Sequence, residues 1–182
     1  MKSKYTLPKD GGLITTGIPR DIICRYEKVP THIFDTEYKG VQHVADQIVA
    51  AINAHSGTSP FMLGLTTGRT PLGLYRELVA RHREGKVSFK HVAVVSLDEF
   101  YPITPQHQQS RNFRIHEELL NHIDILPENI HIPDSTVPVS DISDYCKQYD
   151  EIASKVDYMI IGIGEQGQLG FNEPGSYGKS RD

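Results

Sequence analysis

From Thr31 onward the sequence alternates short apolar runs with amphipathic stretches, and this alternation restricts the fold more than any other feature. Short apolar runs are typical of strands, and apolar residues at a 3.6-residue period are typical of helices. Strands that are separated by helices fit best in a mainly parallel sheet with right-handed crossovers. We therefore predict an α/β domain of the Rossmann-like kind, with helices on both faces of a mainly parallel sheet.

The predicted strands and helices follow from the same patterns. The strands are predicted at residues 32–35, 61–65, 91–97, 129–132 and 156–163. The helices are predicted at residues 38–55, 71–83, 111–123 and 142–154, with Thr70 and Ser110 as N-caps and Pro71 as a first helical residue. Parallel strands end at a common edge, so the loops that begin at Thr66, Asp98 and Gly164 are expected to meet in one crevice.

The length of 182 residues is that of one domain of ordinary size. Residues 1–30 are polar and irregular, and we interpret them as an N-terminal arm before a domain at 31–182. The last nineteen residues, from Gly164, contain no periodic element. Because structureless ends of this length are uncommon in compact domains, we predict that the domain is incomplete and that further strands and helices follow Asp182.

Charge and hydropathy exclude some classes of partner. The net charge is −4 and no run of Lys and Arg is present, so nucleic acid is not an expected partner. No apolar window is long enough for a spanning helix, which predicts no membrane partner and a cytoplasmic protein. Cys24 and Cys146 are expected to be reduced thiols, although a disulfide between them stays open. The histidines form no metal-binding motif, and no metal or other cofactor is predicted.

The loop after the second predicted strand suits an anion. Thr66, Thr67, Gly68, Arg69 and Thr70 combine hydroxyls, a glycine and the first amides of a helix. Such a combination can bind phosphate, although an ordinary capped turn has the same composition. The segment is neither a Walker loop nor a dinucleotide fingerprint.

Acidic residues follow the third predicted strand. Asp98 and Glu99 stand where a buried strand meets the crevice, and partial burial there would raise a carboxyl pKa toward that of a general base. A solvated acidic turn is the alternative. Ser110, Arg111 and Arg114 are interpreted first as an N-cap and an exposed helix face, with a contact to substrate as the second interpretation.

A glycine-rich loop follows the last predicted strand. Its glycines indicate close backbone approach or positive φ, and Glu173 would add a carboxylate beside the crevice. The glycines are Gly162, Gly164, Gly167, Gly170 and Gly175.

Together these segments resemble the glucosamine-6-phosphate deaminase (isomerase) family, whose fold is shared with 6-phosphogluconolactonases. The resemblance is carried, in order, by LGLTTGRTP at 63–71, VSFKHVAVVSLDEFYP at 87–102, HIDILPENIHIPD at 122–134 and GIGEQGQLGFNEPGS at 162–176. The LDEFYP and NEPGS segments resemble the deaminase branch. The resemblance implies a phospho-sugar substrate and acid-base chemistry without a metal.

The resemblance also implies roles for single residues. Asp98 stands at the position of the base that takes the C2 proton, and Glu173 at that of a carboxylate in the ring-opening relay. Residues 67–70 stand at the position of the phosphate loop. With the interpretation of the loops above, the expected substrate-binding residues are Thr66, Thr67, Gly68, Arg69, Thr70, Glu99, Gly164 and Gly167.

The sequence departs from the family pattern in the last loop and in the phosphate loop. Gln166 and Gln168 stand where Asp and His are usual, and an amide cannot shuttle a proton. Loss of one general acid-base group costs about 10²- to 10⁴-fold in rate, so ring opening is expected to be impaired. Arg69 stands where a small residue is frequent, and the remaining phosphate-binding basic residues of the family are expected after Asp182.

Three functions therefore stay open. The first is an isomerase or deaminase acting on glucosamine-6-phosphate or galactosamine-6-phosphate, with Gln166 and Gln168 in the catalytic loop beside Asp98 and Glu173. The second is a sugar-phosphate-binding or regulatory domain of a longer protein, which has kept the pocket but lost the chemistry. The third, a 6-phosphogluconolactonase, is less favoured because it also needs a histidine that this loop lacks. Homo-oligomerisation and fusion to a C-terminal domain are left open.

Overall fold

The computed structural model describes residues 31–172, which form a parallel sheet with helices packed against it. Its four strands lie in the order β3-β2-β1-β4. They are β1 (Phe61–Leu65), β2 (Val92–Ser96), β3 (Ile130–His131) and β4 (Tyr158–Met159). Every pairing is parallel, with Phe61 opposite Val92, Leu63 opposite Tyr158 and Val94 opposite Ile130. The predicted α/β class with a mainly parallel sheet is confirmed.

Four helices connect or flank these strands. They are α1 (Glu37–Ala54), α2 (Thr70–Arg83), α3 (Arg111–Glu118) and α4 (Ile142–Ala153). Short 3₁₀ turns lie at Leu120–His122, Pro127–Asn129 and Val139–Asp141. Within residues 31–172, every helix is too short or too polar to cross a bilayer.

The hydrophobic core lies between one face of the sheet and the first three helices. Alternate residues of β1 and β2 point to this face, because side chains of a strand alternate between its two sides. The helices cover them with apolar residues at the predicted 3.6-residue spacing. The core residues include Ala45, Ile48, Phe61, Leu63, Leu65, Leu74, Leu78, Val92, Val94, Ile115 and Leu119. Ala93 and Val95, on the other face of β2, are also buried.

The predicted strand at residues 32–35 is wrong, because this segment is irregular and pairs with no strand of the sheet. Phe34 contacts helix α1 instead, while Ile33 is exposed. The ring of Phe34 lies 5.1 Å from that of His43, centroid to centroid. An apolar residue beside an amphipathic helix can therefore be covered by that helix without joining a sheet.

The strand predicted at residues 156–163 is shorter in the structure, with only Tyr158–Met159 in the sheet. The Ile160 amide still donates to the Gly64 carbonyl at 3.0 Å. Beyond it the chain folds back, because Ile163 and Leu169 form an antiparallel bridge with each other. The side chain of Ile163 is accordingly exposed.

Two helix boundaries also differ from the prediction. Helix α2 begins at Thr70, so Arg69 and not Thr70 occupies the N-cap position, where it already has helical φ and ψ of −72° and −36°. Helix α3 ends at Glu118 and not near Ile123, since Leu119 leaves the helical region and a 3₁₀ turn follows. The predicted cap at Ser110 is confirmed, because its hydroxyl accepts a hydrogen bond from the Phe113 amide at 3.3 Å.

Candidate active site

Asp98 lies two residues after β2, at the carboxyl edge of the sheet. Its side chain is 17% exposed, and its carbonyl accepts a hydrogen bond from the Ser96 hydroxyl at 3.0 Å. Burial raises the pKa of the Asp98 carboxyl, an effect that the Arg111 charge opposes and the neighbouring Glu99 charge increases. The net upward direction is that of a carboxylate better able to take up a proton near neutrality.

Arg111 is the cation that faces Asp98. Its Nε lies 3.3 Å from Oδ1 of Asp98, which is an ion-pair contact that falls short of hydrogen-bond geometry, and neither atom has another hydrogen-bond partner among residues 31–172. The guanidinium lies 4.4 Å from the centre of the Phe100 ring and 5.6 Å from that of Phe171. The aromatic faces therefore hold Arg111 in place, while an oxygen of Asp98 keeps its capacity to accept a proton.

The sequence pattern favours an exposed helix face for Arg111, and the structure corrects that interpretation. Its side chain is only 22% exposed, because Phe100 and Phe171 cover it. No local sequence pattern signals this contact, since Phe171 is far from Arg111 along the chain. Arg114, by contrast, has a side chain that is 55% exposed.

Glu99 is partly buried, and its carboxylate accepts hydrogen bonds at the N-terminus of helix α3. Its carboxylate accepts hydrogen bonds from the Ser110 hydroxyl at 2.7 Å and from the amides of Phe100, Arg111 and Asn112 at 2.8–3.0 Å. Partial burial alone would raise the pKa of Glu99, but these hydrogen bonds outweigh it and lower the pKa. The contacts give Glu99 a clear part in positioning the loop that carries Asp98.

The loop after β1 contains the five residues expected to bind phosphate. Its start is fixed by the buried Tyr75, whose hydroxyl donates to the Thr66 carbonyl at 2.5 Å and accepts from the Thr66 amide at 3.2 Å. Gly68 has φ of +122°, a value that favours glycine. The N-terminus of α2 that follows has no side-chain cap. Pro71 has no amide proton and the Leu72 amide donates to the Arg69 carbonyl at 3.4 Å, so among the first three helical residues it is Thr70 that keeps an amide for an anion.

The last loop lies beside the Asp98 loop. The rings of Phe100 and Phe171 are 5.6 Å apart between centroids. A side chain at Gly170 would have its Cβ 3.3 Å from Leu97, which precedes Asp98. The three loops named from the sequence therefore follow β2, β1 and β4, which are neighbours in the sheet and end at one edge.

Within this loop the predicted glycines and glutamines form a tight turn. The Gly164 amide donates to the Gln168 carbonyl at 2.9 Å, and Gly167 has φ of +81°. The side-chain oxygen of Gln168 accepts from the Gln166 amide at 3.1 Å. Gln168 therefore contacts its own loop. Glu173 lies outside the described residues.

Two cavities open beside the Thr66–Thr70 loop. The larger, of about 750 Å³, lies toward α1 and β4. Its lining includes Val41, Val44, Thr66, Arg69, Thr70, Leu74, Ile160 and Gly162. The smaller, of about 420 Å³, lies toward α3 and includes Thr67, Gly68, Arg69, Phe100 and Arg111. In the part of the chain that the structure describes, no three His, Cys, Asp or Glu side chains are grouped to hold a metal ion.

The sequence that forms these loops and strands matches the model of a known protein family. The model of the family described as glucosamine-6-phosphate isomerases/6-phosphogluconolactonase matches residues 35–169. The chain belongs to this family. The match includes Asp98, the loop after β1 and both glutamines of the last loop.

Individual relatives agree with the family. A glucosamine-6-phosphate deaminase of Porphyromonas gingivalis is 42% identical over 142 residues, which are 75% of this chain and 53% of that protein. Glucosamine-6-phosphate deaminase 2 of Bacillus subtilis is 42% identical over 118 residues, or 63% of this chain and 47% of the relative. The chain thus spans about half the length of these curated relatives.

Solved structures agree on the fold. A monomeric glucosamine-6-phosphate deaminase is 31% identical, with a TM-score of 0.72 over 80% of this chain and 59% of that one. A 6-phosphogluconolactonase from Trypanosoma brucei has a TM-score of 0.61 over 78% of this chain and 62% of its own, at 21% identity. The second likeness concerns the fold alone.

Proposed function

We propose that this chain carries the proton-transfer part of an amino-sugar phosphate deaminase. The substrate would be glucosamine-6-phosphate or galactosamine-6-phosphate, which reacts with water to give a ketose 6-phosphate and ammonia. The observation that carries the proposal is the Asp98 carboxylate, which is partly desolvated and has an oxygen without a hydrogen-bond partner among the described residues. It stands at the sheet edge where the phosphate loop also begins.

In this reaction Asp98 would remove the proton from C2 of the open-chain sugar. The electrons of the C2–H bond form the C1–C2 double bond while the C1=O π electrons move to O1, which takes up a proton from solvent and gives an enediol-like enolamine. Asp98 then returns the proton to C1, and the nitrogen lone pair forms an iminium at C2. Water adds to C2 and expels ammonia, which leaves the ketose. The loop Thr66–Thr70 would hold the phosphate through hydroxyls and amides, with further contacts from Gly164 and Gly167.

A second function, a sugar-phosphate-binding or regulatory domain, is favoured by the glutamines of the last loop. Gln168 has no proton to exchange near neutrality, and its amide is engaged by Gln166 within the loop. A related glucosamine-6-phosphate deaminase-like protein of Bacteroides thetaiotaomicron matches 86% of this chain but only 24% of its own length. That proportion agrees with a domain within a longer protein. A cytoplasmic location remains a prediction under either function.

The experiment that separates these functions measures ammonia and ketose phosphate from both amino-sugar phosphates. For a deaminase, Asp98→Asn should lower turnover by about 10²- to 10⁴-fold, because the base is lost. Asp144→Asn is the matched control, since Asp144 is exposed on α4 and pairs only with Lys147 among the described residues. Binding of both sugars without product from the wild-type protein would favour the regulatory domain, and neither binding nor turnover would exclude both functions.

A further inference from the structure

The smaller cavity beside the phosphate loop collects arginine side chains from two separate segments. It has a volume of about 420 Å³ and lies between the loop that ends at Arg69 and helix α3. Arg69 lies on one side, and Arg111 and Arg114 lie on the other. Glu118 is the one carboxylate among the residues that line it.

The charges around this cavity do not cancel. Arg111 is balanced by Asp98 at 3.3 Å. Arg114 lies at the longer distance of 3.9 Å from Glu118, and its Nε donates to the Gln108 carbonyl at 3.1 Å. The guanidinium of Arg69 is exposed, and within residues 31–172 it has neither an ion pair nor a hydrogen bond. Three arginines thus face two carboxylates, Asp98 and Glu118, and the excess of one positive charge is that of Arg69.

The larger cavity is a poorer place for an anion. It shares Arg69 and has the hydroxyls of Thr66 and Thr70, but it contains the carboxylate of Glu37 and no second arginine. Most of the remaining lining is apolar, with Val41, Val44, Leu74 and Ile160. The smaller cavity instead offers the hydroxyl of Thr67 and the amide of Gln109 beside the guanidinium groups. A phosphate has several oxygens to satisfy, and guanidinium groups bind such oxygens strongly.

We propose that Arg69 and Arg114 form an anion clamp that holds the phosphate of the sugar in the smaller cavity. This inference rests on the proposed function for the identity of the ligand, and it deepens that function by naming the residues that select phosphorylated sugars. Arg114 is separated from Arg111 by one helical turn, so the anion would lie next to the cation that faces Asp98. Phosphate selection would thus come from residues within this chain.

The test is a calorimetric titration of inorganic phosphate, glucosamine-6-phosphate and glucosamine into the protein and its arginine variants. Arg69→Met and Arg114→Met should each weaken binding of phosphate and of the phosphorylated sugar by roughly tenfold to a hundredfold, as expected for charge-assisted hydrogen bonds. Glucosamine should bind weakly to every variant. Arg83→Met is the matched control, because Arg83 is the last residue of α2, at the opposite end from Arg69, and lines a different cavity.

The outcomes separate the clamp from the activity. Unchanged phosphate affinity in both variants, an equal loss in Arg83→Met, or no phosphate binding by the wild-type protein would overturn the clamp. Amide NMR of the wild-type protein gives a second measurement that needs no variant: phosphate should shift Gly68, Arg69 and Arg114, and shifts confined to other residues would also overturn it. If binding depends on the arginines but no ammonia is released, the clamp is supported and the deaminase function is excluded. If the protein releases ammonia and neither Arg69→Met nor Arg114→Met changes its turnover, the deaminase function is supported and the clamp is excluded.

Discussion

The chemistry proposed for Asp98 depends on the cation beside it. Burial raises the pKa of this carboxyl, and Arg111 partly reverses the effect. The other groups that interact with the carboxylate are its neighbour Glu99 and the phenol of Tyr149 from α4. Tyr149 is fixed by donating to the carbonyls of Ser96 and His131, so Arg111 is the one of these groups that supplies positive charge.

We predict that Arg111→Met raises the pKa of Asp98 further, since the opposing charge is removed while burial remains. A carboxylate acts as a base only above its pKa, so the acid limb of kcat/KM should move to higher pH and activity should fall most in acid. Arg111→Lys should restore part of the wild-type profile. Carbon NMR of the Asp98 carboxyl measures the same pKa without turnover, and an unchanged titration would contradict the prediction.

For single residues, the sequence pattern predicted that Asp98 and the loop after β1 lie at one edge of the sheet, but not which side chains contact each other there. Asp98 could be located because it ends an apolar run. Its pairing with Arg111, and the aromatic rings that hold Arg111, depend on Phe171, which no local pattern connects to them. The role of Glu99 as a cap was missed for a related reason, since its partners Ser110 and Asn112 lie across an irregular loop.

Among the elements, the connection from β1 to α2 matters most to the candidate site, because it carries the loop that is proposed to bind phosphate. The buried Tyr75 of α2 reaches back to both backbone polar groups of Thr66. The helix thereby fixes the point at which the loop leaves the strand. Without that hydroxyl, a partly buried amide and carbonyl would lose their partner.

We predict that Tyr75→Phe lowers the free energy of unfolding by about 1–3 kcal/mol, the cost of leaving buried polar groups unpaired. Hydrogen exchange should show the greatest loss of protection at Thr66–Arg69. Tyr38→Phe is the matched control, because Tyr38 is exposed and its hydroxyl bonds only Gln42 among the described residues. Equal effects of the two substitutions in chemical denaturation would contradict this account.

Strands and helices with a strong apolar pattern were predicted with nearly correct ends. The prediction for Phe61–Leu65 agrees with β1, and that for α1 is shifted by one residue at each end. The pattern failed at residues 156–163, because an apolar run does not record whether a neighbouring strand is present to pair with it. It failed at 32–35 because a helix can cover apolar side chains as well as a sheet can.

The whole molecule is held together at several points by carboxylates that accept backbone hydrogen bonds. Glu99 joins the loop after β2 to α3. Asp124 accepts from the Phe89 amide at 2.6 Å and from the Ser88 hydroxyl at 2.7 Å, which joins the approach to β2 to the segment after α3. Burial alone would raise the pKa of Asp124, but these hydrogen bonds and the nearby His82 lower it.

We predict that these carboxylates make global stability fall in acid. A group whose pKa is lower in the folded state stabilises the fold above its unfolded pKa, and that contribution is lost as the pH falls through the folded pKa. Glu99→Gln and Asp124→Asn should therefore be less stable than the wild type near neutrality, by on the order of 1 kcal/mol each after allowance for solvent screening. The difference should shrink on acidification. Urea titrations at several pH values measure it, and a difference independent of pH would contradict the prediction.

The contact of Arg111 with the rings of both Phe100 and Phe171 has a consequence for the order in which the site is completed during synthesis. Asp98, Phe100 and Arg111 leave the ribosome well before Phe171 does. Until Phe171 has been synthesised, Arg111 can therefore contact only the first of its two rings, that of Phe100. The acid-base environment of the carboxylate is completed only after translation has passed the last glycine turn. In a chain stalled on the ribosome before that point, Asp98 would lie beside an Arg111 that lacks its contact with Phe171.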